Sequence, residues 1–248
     1  ALHVGSPTNA KWNGSAWVSL GVELPGRAFV VFDDGSGPAL YGGSTSIARW
    51  DGSNLTQLPL DASSFVRALA VFDDGGGLAL FAGGTFTTAG GVSAGNIARW
   101  NGAEWTPLGA GIGGYVSALM VFDDGSGPAL YAGGFFTTAG VVSASNIARW
   151  NGTEWAPLGL GTNSEVRSLA VFDNGSGPAL YVGGMFTSAG GTDAKYIAEW
   201  DGTTWAKLVG SNFNGFVYAL TVFDDGGGPS LFVGGAFRYS GTFTPGGL

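Results

Sequence analysis

"ARWNGTEWAPLG", residues 148–159, sets two tryptophans, Trp150 and Trp155, around an Asn-Gly pair. Relatives stand at 98–109 (ARWNGAEWTPLG), 198–209 (AEWDGTTWAKLV), 10–21 (AKWNGSAWVSLG) and 48–59 (ARWDGSNLTQLP). Asn, Asp and Gly tolerate the positive φ angles of tight turns, so each copy predicts a β-hairpin. If Asn151-Gly152 is a two-residue loop, Trp150 faces Thr153, Arg149 faces Glu154 and Ala148 faces Trp155. Trp150 and Trp155 then share one face, an aromatic plate for a neighbouring element to cover, while Arg149 pairs with Glu154 on the other side, as Arg99 does with Glu104.

Outward from this hairpin the whole chain is periodic, and a fixed period identifies the unit that stacks on its neighbours. Phe32, Phe72, Phe122, Phe172 and Phe223, each followed by Asp, mark five repeats. The third reads as four strands: VSALMVF (116–122), PALYAGGFF (128–136), NIARW (146–150) and EWAPLG (154–159), here A, B, C and D. The A–B connection DDGSG is turn chemistry like the C–D connection NG, so both are expected to be hairpins. The first repeat lacks most of the B–C segment, leaving a notch between Gly43 and Ile47.

Composition agrees with this parsing. Of 248 residues, 45% are hydrophobic, 11% are charged and 47 are Gly, a balance that suits many short strands and predicts almost no helix. The formal charge of −8 disfavours nucleic acid and anionic membrane as partners, since both require clustered Lys and Arg. With zero cysteines there is neither a disulfide framework nor a thiolate metal site. No apolar run approaches about 18 residues, so no membrane span is expected, and no signal peptide is legible.

A four-stranded sheet of this size cannot bury both faces alone, so the repeats are expected to pack face to face about an axis. The predicted fold is an all-β, five-bladed β-propeller with four antiparallel strands per blade, forming a single domain over residues 1–248. Four blades fall at about 26–60, 65–109, 115–159 and 165–209, and the fifth is shared between residues 1–21 and 216–237. ALHVGS at 1–6 resembles ALYVGG at 179–184, so strand B of the shared blade is represented twice. A displaced copy, a longer parent array, or strand exchange between otherwise monomeric chains each explains that duplication.

The succession EVRSLAVFDNGSGPALYVGG at 165–184 and IAEWDGTTWAKL at 197–208 resembles the Kelch repeat, with Tyr181, Gly183, Gly184, Trp200 and Trp205 at the matching positions. It is also similar to VGGxFTxAGG…IAxWDGxxW repeats of extracellular and cell-surface proteins. The resemblance covers nearly the whole chain and implies a propeller in an extracellular or surface setting. Kelch-type copper oxidases use Tyr, His and Cys ligands; with no Cys and one His, this chain does not match that activity.

Two constellations are candidates for chemistry. Nine of the 18 acidic residues lie in A–B turns. Among them Asp73, Asp74, Asp123, Asp124, Asp224 and Asp225 are candidate Ca²⁺ ligands, because a hard cation takes several carboxylate and carbonyl oxygens. The same Asp-Asp-Gly is a favourable turn, and it lacks alternating Asp spacing and a distal Glu, so no cofactor is expected. The second constellation opens strand A, where Arg27, Arg67, Ser117, Arg167 and Tyr218 share one repeat position. Guanidinium groups engage carboxylates with two donors, which makes Arg27, Arg67, Arg167 and Tyr218 a candidate site for an anionic ligand at the mouth of a central channel. Some Kelch domains that this chain resembles hold acidic peptides with arginines at the start of the inner strand. Pairing with local acids such as Glu165 is the bland alternative.

The Thr- and Ser-rich B–C loops are expected to satisfy their own backbone through hydroxyls. The tryptophan pairs could stack on sugars, but their presence in blade after blade points to packing. Asn13, Asn54 and Asn151 open glycosylation sequons that turn chemistry largely explains. Glu23, Asp61, Glu165 and Asp193 lie outside the repeated turns without a visible catalytic partner, and His3 stands alone near the N-terminus. The expectation is a noncatalytic binding or structural module for a protein, peptide or glycan. A lectin-like propeller is the alternative, and a glycoside hydrolase comes third.

Overall fold

In the computed structural model, which describes residues 9–60, 65–208, 210 and 213–238, every regular element is a β-strand. The residues 1–6 that duplicate a strand B, together with His3 and Asp61, lie outside the described residues. The chain divides into two compact units, Ala1–Gly111 and Ile112–Leu248.

The N-terminal unit holds two four-stranded antiparallel sheets in strand order A-B-C-D. The first repeat contributes Ala28–Asp33, Pro38–Gly43, Ile47–Trp50 and Leu55–Leu58; the second contributes Val66–Asp73, Leu78–Gly84, Ile97–Trp100 and Trp105–Pro107. A separate two-stranded hairpin, Ala10–Trp12 with Trp17–Ser19, precedes them. In the C-terminal unit the third repeat folds as Ile112–Asp123, Pro128–Ala139, Ile147–Trp150 and Trp155–Pro157. The fourth follows as Val166–Asp173, Pro178–Gly184, Ile197–Trp200 and Trp205–Lys207. Phe216–Asp224 and Pro229–Ala236 form a two-stranded sheet, strands A and B of the fifth repeat. Among the described residues neither terminal hairpin is extended by hydrogen bonding into a four-stranded or closed sheet.

The Asn-Gly connections are longer than two residues. Trp150 lies directly opposite Trp155, Arg149 opposite Ala156 and Ala148 opposite Pro157, so the loop is Asn151–Glu154. The cause is the Asn side chain: its Oδ1 accepts from the backbone N–H groups of Thr153 and Glu154, both at 2.9 Å, which winds the chain two residues further. Gly152 carries the positive φ, at 103°, and Asn151 does not. The expected Arg149–Glu154 and Arg99–Glu104 pairs are therefore not cross-strand partners; Arg99 faces Thr106. The tryptophans still share one face, with ring centroids 5.4 Å apart in the third repeat and 5.3 Å in the second and fourth.

The pairs of the second and fourth repeats are consumed in packing between sheets. In the N-terminal unit Trp100 and Trp105 join Phe32, Tyr41, Ile47 and Leu58 of the first repeat in one core. In the C-terminal unit Trp200 and Trp205 pack with Phe122, Tyr131, Ile147 and Leu158 of the third repeat, and Trp205 Nε1 donates to the Leu158 carbonyl at 2.8 Å. A fully buried indole removes about 150–250 Å² from water, which corresponds to roughly 4–6 kcal/mol.

The Gly-Gly that ends strand B answers two neighbours. The first glycine leaves room for the next sheet: a Cβ on Gly133 or Gly183 would meet Val166 or Val217 Cγ1 at 2.4–2.5 Å, a role that falls in the first repeat to the second glycine, Gly43, against Val66 Cγ1 at 2.7 Å. The second lies against its own strand A, where a Cβ on Gly84, Gly134 or Gly184 would meet a carbonyl oxygen at 1.8–2.2 Å. That close approach comes from a β-bulge in strand A, read as register shifts at Val66/Ala68, Val116/Ala118, Val166/Ser168 and Val217/Ala219.

Candidate functional site

The extra residue of each bulge is Arg67, Ser117, Arg167 or Tyr218, the repeat position that the sequence singled out. A bulge re-aims a side chain out of the alternating pattern of its strand, and here it does so at one place in four repeats. The first repeat has no bulge; Arg27 stands just before its strand A, and its N–H donates to the Gly43 carbonyl at 2.8 Å.

Of the four candidates, the structure brings Arg167 and Tyr218 together. The Arg167 guanidinium lies over the Tyr218 ring at 5.1 Å. Its Nε and Nη2 donate to one Glu165 oxygen at 3.1 and 2.9 Å, while Ser117 Oγ donates to the other at 3.1 Å. Glu165 is 5% exposed, so Arg167 neutralises a buried carboxylate, and the local-acid alternative holds for this arginine. In the N-terminal unit Arg27 is exposed with its guanidinium 5.6 Å from the Phe65 ring centroid, and Arg67 is half-buried. Within the C-terminal unit three strands A line a 480 Å³ cleft, chiefly through Met120, Phe122, Leu169, Val171, Leu220 and Val222.

The aspartates divide into two roles. The first of each pair closes its turn: Asp73, Asp123 and Asp224 Oδ1 each accept from two glycine N–H groups at 2.8–3.0 Å. The second reaches strand C. Asp34, Asp74 and Asp124 pair with Arg49, Arg99 and Arg149 at 3.2, 3.1 and 3.4 Å. Tyr41 and Tyr131 hydroxyls donate to Asp34 and Asp124 at 2.8 and 2.9 Å. Asp225 Oδ1 accepts from the Gly227 N–H at 3.2 Å. Among the described residues no three His, Cys, Asp or Glu side chains assemble as a metal-holding group.

The electrostatics follow from these contacts. Burial opposes ionisation of Asp34 and Asp124, but hydrogen bonds from Ser36 and Tyr41, or from Ser126 and Tyr131, together with the arginine charge outweigh it and hold both carboxyls below their ordinary value. Burial and then the adjacent carboxylate push the Tyr41 and Tyr131 hydroxyls well above theirs.

The fourth repeat inverts this triad. Asn174 replaces the second aspartate and Glu199 replaces the arginine, while Tyr181 stays. Asn174 Nδ2 donates to the Tyr181 hydroxyl at 3.2 Å, and burial followed by the Glu199 charge pushes that hydroxyl up to about 12. Reading the residues alone missed the triad. Its signal was the joint presence of Asp and Arg in three repeats and their joint replacement in the fourth.

The B–C loops fold largely on their own backbone. Thr88–Ala89 pairs with Val92–Ser93 and Ser188–Ala189 with Thr192–Asp193, while Asn146, at φ 64°, donates from Nδ2 to the Thr162 carbonyl at 2.7 Å. Backbone bonds such as Ala94 N–H to the Thr87 carbonyl and Ala194 N–H to the Thr187 carbonyl hold these loops, and Thr192 Oγ1 donating to the Ala189 carbonyl is a hydroxyl contact of the expected kind.

No family model matches the chain, and no curated protein does. Function must therefore be argued from the residues. Of the acids outside the repeated turns, Glu165 is bound by Arg167 and Ser117, Asp193 pairs with Lys207 at 3.4 Å, and Glu23 is exposed. No helix among the described residues is long and apolar enough to cross a membrane.

Proposed function

We propose that this chain is a noncatalytic binding or structural module of Kelch-like type. Its sheets are blades of a five-bladed propeller whose last blade is shared by the N- and C-terminal strands. The observation that carries this reading is the use of the tryptophan pairs as packing between consecutive sheets: Trp100 and Trp105 against the first repeat, Trp200 and Trp205 against the third. In those two pairs the aromatic surface is spent on the core rather than offered to sugars, which sets the lectin-like alternative behind; Trp12 and Trp17, which are exposed, are the pair on which that alternative rests. Among the described residues the two larger clefts are each lined by one carboxylate, Asp123 or Glu199, whereas a hydrolase needs two across a cleft.

An anionic ligand at the arginine position is part of the proposal. Arg27, which is exposed, is its chief carrier, and Arg67 shares the repeat position; Arg167 pairs with the buried Glu165. The test is an array of acidic peptides and acidic sugars, probed with the parent chain and with an Arg27→Ala/Arg67→Ala variant, alongside chromogenic glycosides. Binding by the parent that is lost in the variant, with no glycoside turnover, is the expected result. Turnover overturns the noncatalytic reading; equal binding by both proteins, or none by either, overturns the arginine site.

A further inference from the structure

In the C-terminal unit the strands Ile112–Asp123, Val166–Asp173 and Phe216–Asp224 converge on the 480 Å³ cleft described above. Phe122, Leu169 and Leu220 are its buried walls, whereas Met120, Val171 and Val222 stay only partly buried. A single apolar residue open to water is ordinary. Three strands presenting such residues to one space have the make-up of a small-molecule site: a volume between about 300 and 1,000 Å³, apolar walls and a few polar groups at fixed places.

The polar groups here are carboxylates. Asp123 lines the cleft, Asp173 stands opposite the lining residue Pro178, and Asp224 follows the lining residue Val222 by two positions on the third strand. Each ends its strand A and spends Oδ1 on two glycine N–H groups of its turn, which leaves the second oxygen to a ligand. Among the described residues none of the three is in an ion pair; Arg149, Arg167 and Lys207 are paired instead with Asp124, Glu165 and Asp193.

We infer that this cleft binds a single-chain amphiphile with a cationic head, its hydrocarbon chain against Met120, Val171 and Val222 and its ammonium at the end marked by Asp123, Asp173 and Asp224. Hydrocarbon placed there leaves water, and the unbranched thioether of Met120 adapts its shape to the chain. A carboxylate or sulfate head would meet three like charges, which sets fatty acids aside. The formal net charge of −8 acts in the same sense at longer range, drawing cations and repelling anions. The site lies at the opposite end of these strands from Arg167 and Tyr218, so its failure leaves the arginine reading untouched.

The two methionines of the chain supply a reporter and a control, since Met120 lines the cleft and Met185 lies just beyond the far end of Pro178–Gly184. The full chain, labelled with ¹³C at the methionine methyls, is titrated with dodecyltrimethylammonium, dodecyl sulfate, dodecyl maltoside and tetramethylammonium, the amphiphiles below their micelle concentrations, and followed by NMR. The expected result is a saturable shift of the Met120 methyl with dodecyltrimethylammonium, none at Met185, and clearly weaker binding of the other three probes. An Asp123→Asn/Asp173→Asn/Asp224→Asn variant keeps the Oδ1 acceptors of the turns and removes the charge; its affinity for dodecyltrimethylammonium should fall about tenfold, with far-UV circular dichroism unchanged. Equal binding of dodecyl sulfate or dodecyl maltoside, or an unchanged affinity in the asparagine variant, overturns the cationic head. Equal binding of tetramethylammonium overturns the apolar seat. No shift at Met120, or equal shifts at both methionines, overturns the site.

Discussion

Gly133→Ala tests the packing of one sheet on the next with a single methyl group. Gly133 is buried and its φ lies outside the left-handed region, so the backbone accepts alanine and the effect is steric. The new Cβ would lie 2.4 Å from Val166 Cγ1 and 3.1 Å from Val166 Cβ. Carbon atoms rest at about 3.5–4.0 Å, so the two sheets must separate locally by about 1 Å or Val166 must leave its rotamer. Overpacking of this kind costs about 1–3 kcal/mol, and the stiffer unfolded chain returns about 0.4–1 kcal/mol. The net loss is about 1–2 kcal/mol, a fall in Tm of roughly 2–8 °C for a chain of this size. Urea melts followed by tryptophan fluorescence measure it. Val166→Ala alone should cost about 1.5–3 kcal/mol through lost burial and a cavity, but it also removes the colliding methyl. The double variant should therefore be less destabilised than the sum by about 1 kcal/mol or more. A Gly133→Ala protein as stable as its parent, or strictly additive losses, would show that the sheets do not meet at Gly133 and Val166.

Two further outcomes concern protonation. Asp34 and Asp124 have folded-state values below the ordinary carboxylate value, so the stability they contribute is present above about pH 3.9 and is lost as pH falls through the lower folded values. An Asp34→Asn/Asp124→Asn variant should accordingly show a flatter loss of stability below about pH 4 in acid melts; an unchanged slope would refute the assignment. Tyr181 is raised to about 12, so it favours the folded state below about pH 10 and that contribution is lost as pH rises from 10 to 12. Phenolate absorbance of the chain minus that of a Tyr181→Phe variant isolates this hydroxyl, and Glu199→Gln should move its titration back toward 10. No movement would mean that burial alone sets it.

The all-β architecture of repeated four-stranded antiparallel sheets was legible because its signals are periodic and local. Turn chemistry placed the hairpins, and the tryptophan pair placed the buried face of strands C and D. Register was not, since Asn151 reads equally as the first central residue of a two-residue turn or as the opening residue of a longer one. The choice falls to its side chain, which binds two N–H groups that only the longer loop presents. That error displaced Arg149 from its true partner, Asp124, on a loop 25 positions away in sequence. The arginine position of strand A was legible as an alignment column, but its bulge was not, because a bulge reflects hydrogen-bond register rather than composition. Glu165 was recognised as a local acid; its depth, which makes Arg167 structural, required the packed sheet.

The inverted triad of the fourth repeat bears on how such a chain avoids assembling wrongly. Near-identical segments can exchange partners while they fold, and proteins built of repeats are prone to that failure. A C–D hairpin carrying Glu199, if it joined the A–B hairpin of the third repeat, would bring its carboxylate to Asp124; one carrying Arg149, joined to the fourth, would find Asn174 in place of an acid. Like charges across neighbouring strands are repulsive, and an arginine without its acid loses its ion pair. The departure from symmetry thus makes an exchange of hairpins between the third and fourth repeats less favourable than the pairing each has with its own.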